Sequence, residues 1–330
     1  MGDEEERHHR AHRRRPAGGA LHPRRGRPLI LRRLWEHDLA WSFRRSPVTV
    51  IAAALTLVCV GAALLSPWLS PQDPFNPAAL DLNAAFKPPA WSEGGERAYL
   101  LGSDNQGRDI LSTIMHGARI SLGVGLASVV LALLLGVSLG LLSGYLGGRV
   151  DALIMRVADV QLSFPAILIA LLIDGVARVA MPADRHDEIA IPVLILAIGL
   201  AGWVHYARTV RGSTMVEREK EYVQAARVIG RKPLAIMLAH VLPNVMGPVL
   251  VLATLNIGTA IITEATLSFL GVGVPATRPS LGTLIRVGNE FLYSGEWWIT
   301  VFPGVALVVL VLSVNLLGDW LRDALNPKLR

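Results

Sequence analysis

The chain has 330 residues, of which 52% are apolar and 18% charged, with mean hydropathy +0.44 and a formal charge of +6. A soluble domain carries about 25% charged residues, so this balance excludes one or two ordinary soluble domains. The apolar residues gather in runs of roughly 20, the length that crosses hydrocarbon, and a transmembrane barrel would show short alternating segments instead: the reading is an all-α polytopic membrane protein.

Residues 1–46 read as a basic tail. The first 45 residues hold twelve Arg and six acidic residues, with few apolar residues before Leu29. Such a composition predicts disorder. The tail serves either as a solvated segment that helps topology or as one drawn to anionic headgroups. It is too long and polar for a signal n-region. His8, His9, His12 and His22 stand irregularly among arginines, which is no metal-ligand pattern. Within residues 35–45, Trp35, Leu39 and Phe43 share one face of a predicted interfacial helix.

The first transmembrane helix is expected at 47–66. It contains Cys59, the only cysteine, which excludes an intrachain disulfide and a Cys-based metal site. Residues 67–118 form a long polar outer segment. The core, 119–320, holds five further spans at 120–142, 152–173, 189–206, 241–262 and 297–317. Gly136, Gly140 and Gly144 recur every four residues in the second of the six. They read as a stripe for close helix packing or as the ordinary frequency of glycine in membrane helices. Arg156 and Asp159 are spaced to pair, and Pro165 should kink the third span. Asp174 and Arg178 mark its far end. Trp297, Trp298 and Trp320 mark the interfaces of the sixth span. A polar tail, 321–330, closes the chain.

Six spans put both termini on one side. The tail, the Arg149 turn and the loop 208–236 are rich in Lys and Arg, whereas 67–112 holds six acidic and three basic residues. The positive-inside rule therefore predicts both termini in the cytoplasm.

The loop after the fourth span is a polar island, running from Glu217 to Pro233. Tyr222, Val223, Ala226 and Ile229 recur at helical spacing, which predicts a short amphipathic helix. Gly230 sits where a helix C-cap needs positive φ, and Pro233 suits the first turn of a new helix. This piece is suited to being gripped by another protein. The chain has no Gly-x-x-x-x-Gly-Lys-[Ser/Thr] phosphate loop, no zinc spacing and no nucleophile elbow. Nor does a series of acidic residues run through the spans. The chain therefore offers no evident energy source, and a transporter of this kind would need power from another subunit.

The sequence resembles the inner-membrane permease subunits of bacterial ABC importers, and among them the C-type permeases of dipeptide and oligopeptide systems. The island matches the family's EAA loop, with Glu221-Tyr-Val-Gln-Ala-Ala-Arg-Val-Ile-Gly230 followed by His240-Val-Leu-Pro-Asn244. The likeness runs from Trp35 to Arg330. It includes Leu101-Gly-Ser-Asp-Asn-Gln-Gly-Arg-Asp-Ile-Leu111, Met155-Arg-Val-Ala-Asp159, Leu267-Ser-Phe-Leu-Gly271 and Asn315-Leu-Leu-Gly-Asp319. Gln224 departs from the name-giving glutamate, and Leu281 stands where the family usually has Trp.

The resemblance implies a type I ABC importer permease fold, with six transmembrane helices and a cytoplasmic coupling helix, in the bacterial inner membrane. It implies a transport subunit with no catalytic residues, cofactor or metal of its own. The partners would be a second permease, two ATPase subunits that bind ATP and Mg, an external substrate-binding protein and membrane lipids, with no nucleic acid. Peptides would be the cargo, with nickel, glutathione or another small solute as alternatives. Glu221, Tyr222, Ala225, Ala226, Arg227 and Gly230 would form the ATPase-coupling surface. Ala225 and Ala226 would allow close approach, Tyr222 would anchor, and Arg227 would pair with an acid. Glu264 reads either as a contact at the outer mouth or as a solvated charge. Asn315 reads as an interhelical hydrogen bonder. Asp104, Arg108 and Asp109 either order the outer loop or meet the binding protein. An ATPase-independent carrier or channel is the competing class. It would show intramembrane charge sites or an inverted repeat.

Overall fold

The structure is a computed structural model that describes residues 38–76, 80–182 and 185–325. The expectations for the arginine-rich tail up to residue 37, its four histidines, Trp35 and residues 326–330 lie outside the described residues. Twelve labelled helices follow in order: α1 Asp38–Arg45, α2 Pro47–Leu64, α3 Ser66–Leu69, α4 Ile110–Leu146, α5 Gly148–Leu162, α6 Ala166–Ala180, α7 His186–Glu217, α8 Glu221–Val228, α9 Pro233–Ile236, α10 Leu242–Phe269, α11 Leu281–Asn289 and α12 Trp298–Leu325. Among the described residues, five helical runs are long and apolar enough to cross a membrane, and α5 with α6 makes six if that bent pair counts as one span.

Local chemistry sets the helix ends. Ser46 caps α2 by accepting from Thr49 N at 3.3 Å, and Pro47 occupies the first turn, where a missing N–H costs nothing. Asp109 caps α4 by accepting from Ser112 N at 2.8 Å. That cap starts α4 ten residues before the apolar run expected at 120. A π-helical turn, Met237–Val241, joins α9 to α10, so 233–269 is one long helical run.

The glycine stripe decides how α4 packs. A Cβ at Gly140 would lie 2.6 Å from Ala207 O and 2.7 Å from Val210 Cβ, and one at Gly144 would lie 2.7 Å from Arg211 O. A Cβ at Gly136 would collide with Tyr206. Only glycine lets the α4 and α7 backbones approach this closely. Beside this seam, Arg211 Nη2 donates to Asp151 Oδ2 at 2.7 Å, joining α7 to the start of α5.

The third span departs from expectation. Residues 152–173 are not one kinked helix: α5 and α6 meet at a 94° bend across Ser163, Phe164 and Pro165. Proline removes a donor and disfavours α geometry in the residue before it. Gln161 supports the break, donating to Leu200 O at 2.7 Å and accepting from Trp203 Nε1 at 2.8 Å. Asp159 pairs with Arg208 at 2.6 Å, across to α7, and not with Arg156.

At the other end, α4 joins a folded loop. Arg108 Nε meets Asp104 Oδ2 at 2.6 Å, with both residues buried. Trp298, expected at an interface, is buried, and its indole donates to Ser103 O at 3.0 Å. The loop is thereby tied to the start of α12.

Candidate functional site

Helix α8 and its glycine corner form the candidate site. Glu221 lies in the first turn and Arg227 in the last, which complements the helix dipole. The C-terminus closes as a Schellman motif. Arg231 N donates to Ala226 O at 3.1 Å and Gly230 N to Arg227 O at 3.0 Å, with Gly230 at φ +78°. Pro233 then occupies the first turn of α9. The expected order of short helix, glycine corner and new helix is the order observed.

One face of α8 is buried. Val223 and Ala226 are at most 4% exposed and join a cluster with Tyr145, Val210, Ile236 and Val241. Three elements hold this face. The Tyr222 hydroxyl donates to Glu217 at the end of α7, and Asn244 Nδ2 of α10 donates to that hydroxyl at 3.1 Å. Burial and the Glu217 carboxylate together push the Tyr222 phenol up to about 12, so its proton stays in place. Arg227 lies over the Tyr145 ring of α4, 5.0 Å from its centroid, with Nε 3.4 Å from the hydroxyl. Beside it, Arg218 Nη1 donates to Gly144 O at 3.0 Å.

Of the six residues expected on the free face, Glu221, Tyr222, Ala225, Arg227 and Gly230 are exposed and Ala226 is not. Glu221, Gln224 and Ala225 are exposed, as are Val228 at 87% and Ile229 at 75%. Ala226 points into the fold and is unavailable for close approach by a partner. Tyr222 and Arg227 make contacts within the chain while staying exposed, Tyr222 at 38%. Ile229, grouped by periodicity with the buried stripe, points outward. The backbone leaves helical geometry there, at ψ 5°, so the 3.6-residue period no longer applies. Val228 and Ile229 therefore supply exposed apolar surface beside the corner.

The other expected site residues are dispersed. Glu264 is neither a solvated charge nor a contact at an outer mouth: it lies within α10 and is fully buried. Ser121 Oγ donates to its Oε2 at 2.6 Å and Ser268 Oγ to its Oε1 at 2.7 Å. Asp104 and Arg108 are turned to each other, and their burial removes them as contacts at the outer face. Asp109 is the α4 cap, and burial pushes its carboxyl up. Asn315 of α12 packs against Gly258 of α10, where any Cβ would collide with it. Among the described residues, no group of three His, Cys, Asp or Glu is placed to hold a metal ion.

The family described as "Binding-protein-dependent transport system inner membrane component" matches residues 136–330. The di/tripeptide transport system permease protein DppC of Pseudomonas aeruginosa is 38% identical over 303 residues, covering 92% of this chain and 94% of the relative. The dipeptide transport system permease protein DppC of Escherichia coli K12 is 39% identical over 288 residues, covering 87% of this chain and 91% of the relative. A solved inward-facing structure of the MetNI methionine ABC transporter aligns with 65% of this chain and 96% of that chain, at 19% identity and a TM-score of 0.49.

Proposed function

The chain belongs to the binding-protein-dependent transport system inner membrane components, and from that membership we propose that it is one permease of an ATP-driven importer for di- and oligopeptides. The peptide cargo is supported by the names of the relatives that match nearly its whole length. The working unit contains a second permease, two ATPase subunits that hold ATP and Mg, and an external binding protein. This chain hydrolyses nothing; it supplies half of the pathway and one lever.

The lever is α8, and one observation carries that reading. The helix is fastened to α4, α7 and α10 on its inner face, while Val228 and Ile229 stand exposed beside the Gly230 corner. A partner gripping the outer face therefore pulls on three spanning helices together. For ATP to drive the switch, its binding must favour one permease state over the other by a few kcal/mol. In this reading 1–46, 208–236 and 321–330 face the cytoplasm and 67–118 faces outward, as the Lys and Arg distribution supports.

The test is reconstitution of the complete complex in vesicles with the binding protein outside. ATP-dependent uptake of dialanine, and a crosslink from Ala225→Cys to the ATPase, are expected. Uptake by the isolated chain without ATP would place the protein in the carrier class.

A further inference from the structure

Midway along α4, α7 and α10 lies a cleft of about 140 Å³. Its polar lining comes from Ser128, His205, Tyr206, Asn256, Thr259 and Thr263. Its lining contains no Asp, Glu, Lys or Arg. His205 and Thr259 are exposed in the chain as it stands. The Ser128 hydroxyl is buried and has no hydrogen-bond partner. At membrane depth, such groups cannot face lipid without cost; they face a protein partner or water.

A second observation points the same way. Ala166, the first residue of α6, also lines the cleft, so the break between α5 and α6 opens beside it. The residues of the break, Ser163, Phe164 and Pro165, are exposed. Non-helical backbone at membrane depth is tolerated where it lines a water-filled cavity or is buried in protein. An unpartnered hydroxyl and an interrupted helix therefore meet at one cleft, whose largely apolar wall carries a few polar groups.

We propose that this cleft is the chain's share of the solute path, and that it reads the hydrogen-bonding groups of a peptide backbone while remaining blind to side-chain charge. The Asn256 amide and the hydroxyls of Ser128, Tyr206 and Thr259 offer both donors and acceptors. Peptide N–H and C=O groups need both. The absence of a fixed charge lets cationic, neutral and anionic peptides pass the same wall. The peptide part of this proposal rests on the cargo reading above; the path does not.

The experiment uses the full reconstituted complex in a Cys59→Ser background. Thr259→Cys and, as a control on the exposed outer face of α4, Leu134→Cys are treated with a membrane-impermeant maleimide during ATP turnover. Faster labelling at Thr259→Cys is expected; labelling no faster than at Leu134→Cys overturns the path, whatever the cargo. Separately, His205→Arg places a fixed cation in the cleft. Uptake of a lysine-bearing tripeptide, as a ratio to the unmodified complex, should fall roughly tenfold more than that of its neutral counterpart, as like-charge repulsion in a partly hydrated site requires. An equal loss for lysine-bearing, neutral and glutamate-bearing tripeptides overturns the claim that the natural lining passes peptides because it lacks charge. If the unmodified complex imports no peptide, the cargo reading fails. Fast labelling of Thr259→Cys then still supports the path, and slow labelling removes that too.

Discussion

The guanidinium carbon of Arg227 sits 5.0 Å from the centre of the Tyr145 ring, joining α8 to the last turn of α4. Such a contact contributes about 0.5–1 kcal/mol at a partly exposed site. It is too weak to decide whether the protein folds, yet under the proposed lever it would fix where α8 pushes. Arg227→Ala should leave expression and assembly with the ATPases intact while lowering the number of peptides imported per ATP hydrolysed. Uptake and hydrolysis measured together on the same vesicles check this; an unchanged ratio would remove Arg227 from the linkage.

Gly230 separates backbone from crowding. Its φ is +78°, and a Cβ there would meet no atom within 4 Å. Any loss on substitution is therefore conformational, on the order of 1–3 kcal/mol for a branched residue held in this region. Gly230→Asn should retain most uptake, because asparagine tolerates left-handed geometry, whereas Gly230→Val should uncouple hydrolysis from transport. Equal activity in the two variants would show that the corner does not transmit force.

Sequence pattern made some of this legible and hid the rest for identifiable reasons. Long apolar runs exposed the spanning helices, and Gly230 with Pro233 announced the corner, because these signals are local. The Asp159 partner was hidden: Arg208 is 49 residues away, while Arg156 offered a pairing within reach. Glu264 looked like the end of a helix because a carboxylate ends an apolar run. Only the fold brings Ser121 from α4, 143 residues distant, to satisfy it. The cleft residues gave no local signal at all, since Ser128, His205 and Asn256 meet only after three helices have packed.

The seam between α4 and α7 gives a paired test. Gly140→Leu would force side-chain atoms against Ala207 O and Val210, whereas Gly123 of the same helix has open space around it. Overpacking of this kind costs about 1–3 kcal/mol, so Gly140→Leu should melt earlier in detergent. Gly123→Leu should stay near the unmodified protein. A similar melting shift at both sites would refute the close approach.

The buried pair in the loop before α4 predicts non-additivity. Asp104→Ala leaves the Arg108 guanidinium without its counter-charge, and breaking a buried pair from one side costs about 3–5 kcal/mol. Replacing both, as Asp104→Ala with Arg108→Met, should recover much of that loss. Limited proteolysis of the loop reads the difference, with the single variant cut faster. If the double variant is cut as fast as the single, the ion pair is not what orders the segment.

Helix α4 runs unbroken for 37 residues from the Asp109 cap to the turn that holds Tyr145. At 1.5 Å per residue that is a shaft of about 55 Å, so a tilt of roughly five degrees about one end sweeps the other by about 5 Å. The loop that holds the Asp104–Arg108 pair and the corner beside Arg227 thus share one stiff axle. In the proposed importer, a binding protein at one end of that axle and a motor at the other would sense each other with no relay of intermediate joints.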